Sequence, residues 1–175
     1  RGCHVKVLIV VTHLLGTGHL RRAMTLAHAF AEAGHTVRVA SGGTPVAGVT
    51  PGEVALIQLP ALKSDGTDFT TLLTGDGAPA DADYLAARQA VLLGCLSDPP
   101  DVLITELFPF GRRVLAGEFR ALLEAARALP APPLVLCSIR DILAPPSRPE
   151  KAARTEALVS TLYDGVLVRA YPAAI

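Results

Sequence analysis

Two neighbouring stretches, Val5-Lys6-Val7-Leu8-Ile9-Val10-Val11 and Leu15-Gly16-Thr17-Gly18-His19-Leu20-Arg21-Arg22, decide the fold of this chain. The first is an apolar run typical of a strand that is buried on both faces of a sheet. The second is a glycine-rich turn, after which an amphipathic helix is predicted to about Ala33, with Gly34 placed to end it. The apolar residues of this helix recur at helical spacing, at Leu20, Met24, Ala27 and Phe30. A turn of this kind presents unpaired backbone N–H groups to a ligand.

The glycine-rich turn does not match the common nucleotide-binding patterns. A dinucleotide site needs a third glycine, and this chain has Arg21 at that position after Gly16 and Gly18. It also needs an acidic residue at the end of the second strand, where this chain has Ser41-Gly42-Gly43. A P-loop would need a Gly-Lys-Ser/Thr sequence, which does not follow. A nicotinamide or flavin role is therefore not favoured.

The rest of the chain alternates between apolar strands and helices. Further strands are predicted at Thr36–Ala40, Val54–Leu59, Val102–Thr105, Leu134–Ser138 and Gly165–Val168. Further helices are predicted at Ala82–Leu96, Gly111–Leu129 and Pro149–Tyr163, and a long surface loop at Ala61–Asp81. This alternation predicts one α/β domain over residues 1–175, a three-layer sandwich with a parallel sheet. The acidic segment Ser64–Asp83 is interpreted as a mobile flap rather than a metal site, because its carboxylates lack regular ligand spacing.

Composition limits the classes of function. The 175 residues are 50% hydrophobic and 18% charged, with 16 basic and 16 acidic side chains and no net charge. This balance argues against nucleic acid as a partner, since the phosphate backbone binds basic surfaces. Cys3, Cys95 and Cys137 are far apart and lack metal-ligand spacing, and no signal peptide pattern is present, which favours a reduced, cytosolic setting. Cys137 is predicted to be a small core residue, and the longest aliphatic run, Val7–Val11, is too short for a transmembrane segment.

Polar residues follow the first, fourth and fifth predicted strands. In the common strand order 3-2-1-4-5-6, a ligand binds at the carboxyl ends of the first and fourth strands, where the order reverses. The residues expected to converge there are His13, Gly16, Thr17, Gly18, His19, Arg21, Arg22, Glu106, Arg112, Arg113, Arg140 and Asp141. Arginine is unfavourable at a helix N-terminus because of the helix dipole. The arginines at two such ends therefore indicate an anionic partner, a phosphate or a carboxylate.

Three segments resemble glycosyltransferases with the GT-B fold. The segment from His13 to Ala33 is similar to their first loop and helix, in which a Gly-His pair follows the first strand. Gly16-Thr17-Gly18-His19 resembles the glycine-rich loop of the muramyl-peptide N-acetylglucosaminyltransferases, family 28. Thr105-Glu106-Leu107-Phe108-Pro109-Phe110-Gly111-Arg112-Arg113 and Cys137-Ser138-Ile139-Arg140-Asp141 resemble a bacterial group of glycosyltransferases related to that family.

This resemblance implies two Rossmann-like domains, of which the first binds the acceptor and the second holds the nucleotide-sugar donor. The chain is then expected to be the acceptor-binding N-terminal domain, inactive alone, with the C-terminal donor-binding domain absent and a UDP-sugar as the donor of the full-length enzyme. The expected partner is a small-molecule or lipid-linked acceptor, with no catalytic metal and no cofactor in this fragment. The expected location is cytoplasmic, and contact with the inner membrane face through exposed Phe108 and Phe110 is left open.

The resemblance also implies roles for two residues. In the plant-like members, the loop histidine takes the acceptor proton and an Asp after the fourth strand orients it. The matching positions here are His19, the candidate base, and Glu106, which is one methylene longer than Asp. Histidine suits this task because its ordinary pKa lies near neutral. His13 is the second candidate base.

Simpler interpretations of the same residues stay open. His19 could cap or hydrogen-bond the loop, Glu106 could cap the helix predicted from Gly111, and Arg140 could pair with Asp141. At the level of function, the alternatives are a nucleotide-sugar 2-epimerase-like enzyme domain and a non-catalytic α/β module that binds a small anion.

Overall fold

The computed structural model describes residues 3–66, 71–140 and 149–169. In these ranges the strands are β1 Lys6–Val11, β2 Thr36–Ser41, β3 Ala55–Gln58, β4 Leu62–Lys63, β5 Leu73–Thr74, β6 Val102–Glu106, β7 Leu134–Arg140 and β8 Gly165–Arg169. The α-helices are α1 Gly18–Glu32, α2 Ala82–Gly94, α3 Ala116–Arg127 and α4 Pro149–Leu162, with short 3-10 helices at Cys95–Ser97 and Arg113–Leu115.

The main sheet has six parallel strands in the order β3-β2-β1-β6-β7-β8. Val10 in the central strand β1 pairs with Ala40 on one side and with Thr105 on the other. Counted along this sheet alone, the order is the predicted 3-2-1-4-5-6, and it reverses between β1 and β6. The Rossmann-like α/β fold predicted from the sequence is confirmed.

The sheet lies between two layers of helices because side chains alternate across each strand. Val7, Ile9 and Val11 of β1 pack in one core with the α1 residues Leu20, Ala23, Met24 and Ala27. Leu8 and Val10 of the same strand pack on the opposite face with residues of α2 and α3, such as Leu92, Phe119 and Leu122. Phe30, predicted to be buried by α1, is only partly buried. Gly34 ends α1 with a φ of 88°, as the sequence predicts.

The segment predicted as a surface loop, Ala61–Asp81, contains a small antiparallel pair, β4 and β5. Leu62 is fully buried, and its N–H donates to the carbonyl of Gly42 at 3.0 Å. The N–H of Ser64 donates to the carbonyl of Leu14 at 2.8 Å. The loop prediction was therefore wrong for this part of the segment. The composition of the segment as a whole is typical of a surface loop, but Leu62 packs in the hydrophobic core. Residues 67–70 lie outside the described ranges.

The helix predicted from Gly111 begins later, at Ala116. Arg112 has a φ of 59° and Leu107 a φ of 73°, values that a right-handed helix cannot contain. The turn between them carries Phe108 into the core, where it is 1% exposed and stacks on Phe119 at a centroid distance of 4.7 Å. The prediction that Phe108 is exposed and available to a membrane was wrong, and Phe110 is partly buried as well. Among the described helices, none is long and apolar enough to cross a membrane.

A fully buried arginine, Arg88 of α2, joins the ends of β1 and β2 to α3. Its guanidinium donates to both oxygens of Glu118, at 2.8 and 3.0 Å, and to Oγ1 of Thr12 at 2.9 Å. It also donates to the backbone carbonyls of Gly42 and Pro60. Every N–H of the guanidinium therefore has an acceptor, which is what a buried charge requires. Gly42 must lack a side chain here, because a Cβ would lie 2.1 Å from Arg88 Nη2.

We expect R88M to lower the free energy of unfolding by about 3–5 kcal/mol, because it leaves the Glu118 carboxylate buried without its partner. Urea unfolding followed by circular dichroism measures this change. The control is R120M, which removes the exposed pair between Arg120 and Glu124, 3.7 Å apart, and should cost under about 1 kcal/mol. If both variants lose the same free energy of unfolding, the buried network around Arg88 stabilises the fold no more than an exposed ion pair does.

Candidate functional site

The candidate site lies at the carboxyl ends of β1 and β6, where the strand order reverses. The loop after β1 leads into α1, whose second residue is His19, and β6 ends in Glu106. Thr17, the N-cap of α1, makes no side-chain cap hydrogen bond, and the first turn carries no acidic residue. The positive end of the helix dipole therefore points toward this end of the sheet without a compensating carboxylate in the helix itself.

His19 and Glu106 are in contact, as the resemblance implied for the matching positions. Nδ1 of His19 lies 3.3 Å from Oε1 of Glu106, so the longer glutamate side chain spans the gap between α1 and β6. The side chain of Glu106 is 2% exposed and that of His19 is 24% exposed. A buried carboxylate thus lies against the inner edge of a ring that still reaches solvent. Glu106 makes its contacts with His19 and arginines, rather than acting as a cap for α3.

Two arginines complete the surroundings of Glu106. Nε of Arg22 donates to Oε1 at 3.3 Å, and Nη2 of Arg169 donates to Oε2 at 2.8 Å. Burial by itself raises the pKa of the Glu106 carboxyl, but the contact with His19 and the charge of Arg169 outweigh it, so that the pKa lies below its ordinary value. Glu106 is therefore ionised at neutral pH despite its burial.

Arg169 was not among the residues predicted from the sequence. It is the last residue of β8, and its guanidinium also donates to the backbone carbonyl of Arg22 at 2.7 Å. It therefore ties the first turn of α1 to the carboxylate at the end of β6. The sequence did contain a signal for Arg169. It follows the last predicted strand, and parallel strands end at the same edge of the sheet, where Glu106 also lies.

His13, the second candidate base, lies in a closed environment. Its side chain is buried, and Nε2 lies 3.0 Å from the carbonyl oxygen of Thr44. Gly43 has no room for a side chain, because a Cβ there would lie 2.5 Å from the ring of His13. Burial lowers the pKa of His13, and the nearby charge of Arg112 lowers it further, against the raising effect of the Thr44 carbonyl. A neutral ring enclosed in this way supports the loop backbone.

The other predicted residues that the structure describes lie in or after β1, β6 and β7, with different degrees of exposure. Arg112 donates from Nε to the carbonyl oxygen of Thr12 at 2.7 Å and so holds the start of the loop. Arg21 is exposed and donates to Oγ1 of Thr17 at 3.3 Å. Arg140 is exposed at the end of β7, in register with Arg169 of β8.

Gly16 and Gly18 are exposed, and no packing within the described chain demands a glycine at either position. A Cβ at Gly16 would meet no atom within 4 Å, and one at Gly18 would lie 3.5 Å from Arg22 Nη1. The glycines keep the backbone before α1 uncovered. Arg113 is exposed at the start of its 3-10 helix, and Asp141, predicted to bind ligand or to pair with Arg140, lies outside the described residues.

The described residues bring no three His, Cys, Asp or Glu side chains together in a way that could hold a metal ion. Cys137 is fully buried, as predicted, and burial raises the pKa of its thiol to about 12. The chemistry at the described site is therefore that of an imidazole, a buried carboxylate and several guanidinium groups. Such a set can move a proton and attract an anion.

Comparison with solved structures finds likeness to glycosyltransferases at low sequence identity. UGT2 of Phytolacca americana, solved with UDP-2fluoro-glucose and pterostilbene, matches with 18% identity over 79% of this chain and 31% of its own, at a TM-score of 0.47. The apo form of the same protein matches with 19% identity over 75% of this chain and 29% of its own, at a TM-score of 0.45. CalG4, the calicheamicin glycosyltransferase, matches with 17% identity over 98% of this chain and 39% of its own, at a TM-score of 0.46.

The chain spans about a third of the length of these solved proteins. No protein-family model matches the chain, and no curated protein matches it.

We expect E106Q to lower the free energy of unfolding at pH 7 by about 2 kcal/mol, since charge-assisted hydrogen bonds to two arginines are lost. The difference from wild type should narrow as the pH falls below about 4.5, the ordinary value for this carboxyl. The reason is that a lowered folded-state pKa contributes stability that is complete above the ordinary value and is lost as pH falls through the folded value. Urea midpoints from pH 7 to about pH 3 measure this, with the exposed E124Q as control. A difference that does not change with pH would contradict the ionised state of Glu106.

Proposed function

We propose that this chain is the acceptor-binding domain of a GT-B glycosyltransferase that moves a sugar from a nucleotide-sugar to an acceptor hydroxyl. The observation that carries the proposal is the contact between His19 and the buried Glu106 at the point where the strand order reverses. This is the position at which sheets of this kind bind their ligands. An imidazole with one edge on a carboxylate and the other toward solvent is suited to accept a proton there.

In the proposed reaction, the acceptor hydroxyl loses its proton to Nε2 of His19 as its oxygen attacks the anomeric carbon of the donor sugar. The bond from that carbon to the nucleoside diphosphate breaks, and the leaving group departs with the electron pair. Glu106 accepts the N–H at Nδ1, which leaves Nε2 bare for the incoming proton and stabilises the imidazolium that forms. His13 is the less suitable base, because its ring is buried and enclosed.

The cationic residues are proposed to hold an anionic part of the acceptor, a phosphate or a carboxylate. Arg21 and Arg140 are exposed near the site, whereas Arg112 is committed to the loop carbonyl of Thr12. The uncovered backbone at Gly16, Thr17 and Gly18 is proposed to approach the same ligand. Guanidinium groups recognise such anions through paired hydrogen bonds. Asp141 is proposed to take part in acceptor binding.

The donor site is proposed to lie in a second domain outside this chain, with a UDP-sugar as the donor, so that the chain alone does not turn over. A hexosyltransferase of the bacterial group related to family 28 fits the segments quoted above. The proposed acceptor is a small or lipid-linked molecule, and the proposed location is the cytoplasm, including the inner membrane face.

The test is steady-state turnover of the full-length gene product with UDP-sugars and a panel of hydroxyl acceptors, measured as UDP release. H19A should lower kcat by about 100-fold or more, because a positioned general base contributes that much. E106Q should cause a smaller loss, since the base stays in place and only its partner is weakened. H28A, further along the same helix α1 and outside the site, is the matched control.

Near-normal turnover of H19A would overturn the role of His19 as base. Binding of an anionic acceptor without turnover by the full-length protein, with any UDP-sugar, would favour a binding module instead.

A further inference from the structure

Two side chains compete for one ring nitrogen of His19. Nη2 of Arg22 lies 2.8 Å from Nδ1, and Oε1 of Glu106 lies 3.3 Å from the same atom. A neutral imidazole has one N–H and one bare nitrogen, and a guanidinium can only donate. Nδ1 can therefore accept from Arg22 or donate to Glu106, but it cannot do both.

The distances favour Arg22. A charge-assisted N–H bond is usually about 2.7–2.9 Å long, which the contact with Arg22 matches. The contact with Glu106 lies beyond the usual range of about 2.7–3.2 Å. Nε of Arg22 lies at the same 3.3 Å from Oε1 of Glu106, so one guanidinium faces both members of the pair, with its short contact on the ring.

The position of Arg22 is itself supported by its neighbours. The carbonyl oxygen of Arg22 accepts a hydrogen bond from Arg169 at 2.7 Å, and the side chain of Arg22 is only 25% exposed. Arg21, the adjacent residue in the same helical turn, is exposed and makes its side-chain contact with Thr17 instead. The two neighbouring arginines therefore have distinct surroundings, and only Arg22 reaches the ring.

We infer that Arg22 is a positioning residue that holds His19 in the tautomer with a bare Nδ1 and the hydrogen on Nε2. In this tautomer Nε2 presents an N–H donor, and among the described residues none accepts from it. His19 then binds an oxygen and cannot take a proton from it. The free chain is thus in a resting arrangement with respect to proton transfer.

The consequence for catalysis rests on the proposed function. His19 becomes a base only after the guanidinium of Arg22 leaves Nδ1, so that Nδ1 can carry the hydrogen and donate it to Glu106. A phosphate or carboxylate on the substrate is the chemical class that competes for a guanidinium. Arg22 would in this way couple the binding of an anionic substrate to the activation of the base.

The test is the tautomer of His19 in the ¹⁵N-labelled chain, read from long-range ¹H–¹⁵N spectra at a pH at which those spectra show a neutral ring. The signals of His19 are identified by their loss in H19Q. Wild type should show the hydrogen on Nε2, and R22M should show it on Nδ1, because among the described residues Glu106 is then the one remaining hydrogen-bond partner of that nitrogen. R21M, which alters the adjacent arginine, and E106Q, which leaves Arg22 in place, should both keep the wild-type tautomer.

A hydrogen on Nδ1 in the wild-type spectrum would overturn the inference without any variant. An unchanged tautomer in R22M whose circular dichroism shows a folded chain would overturn it too. The spectra report on the ring whether or not the chain belongs to a transferase. If the spectra show a different tautomer, the inference about Arg22 fails and the proposed sugar transfer is unaffected. If H19A turns over normally, the role of His19 as base fails and the tautomer found in the spectra is unaffected.

Discussion

A buried carboxylate at the end of β6 has to be compensated, and this requirement organises the whole carboxyl edge of the sheet. Glu106 is almost fully removed from water, and an isolated charge in such a place would cost several kcal/mol. Its compensation comes from Arg22 on α1 and Arg169 on β8, elements that are distant in the chain. Because Arg169 also binds the backbone of Arg22, the first turn of α1 is fixed relative to the last strand. The position of His19 follows from this arrangement.

A second buried charge, the guanidinium of Arg88, holds the backbone just after β1 and β2. The guanidinium of Arg88 binds Thr12 and Gly42, which lie just after β1 and β2, and it is held in turn by Glu118 of α3. Arg112 binds the carbonyl of Thr12, so the start of the glycine-rich loop is held from two sides. The hydrogen-bonded base of the loop and the uncovered backbone at Gly16 and Gly18 are what the proposed acceptor site requires, because binding groups need to be held in place.

The alternation of strands and helices and the packing of α1 on β1 could be predicted from the sequence, because hydrophobic periodicity is local information. The strand order was expected from the common order of such sheets and not from any local pattern. The carboxyl end of β1 at Val11 and the end of α1 before Gly34 follow from local pattern, whereas β7 continues two residues beyond the predicted Ser138, to Arg140. The predictions were wrong where a tertiary contact overrode local pattern. Leu62 looked like part of a polar loop and is buried, and Phe108 looked exposed and stacks on Phe119.

The sequence by itself determined the fold class and the edge of the sheet at which the polar residues after β1, β6 and β7 gather. These follow from periodicity and from the rule that parallel strands end at a common edge. The contact of the loop histidine with Glu106 was implied by the resemblance to GT-B glycosyltransferases. Only the tertiary structure decided that Arg22 lies closer to His19 than Glu106 does, that Arg169 completes the carboxylate site, and that His13 is enclosed. The physical reason is that hydrogen-bond partners depend on distances of a few tenths of an ångström between side chains from separate elements, and no local pattern in the chain encodes those distances.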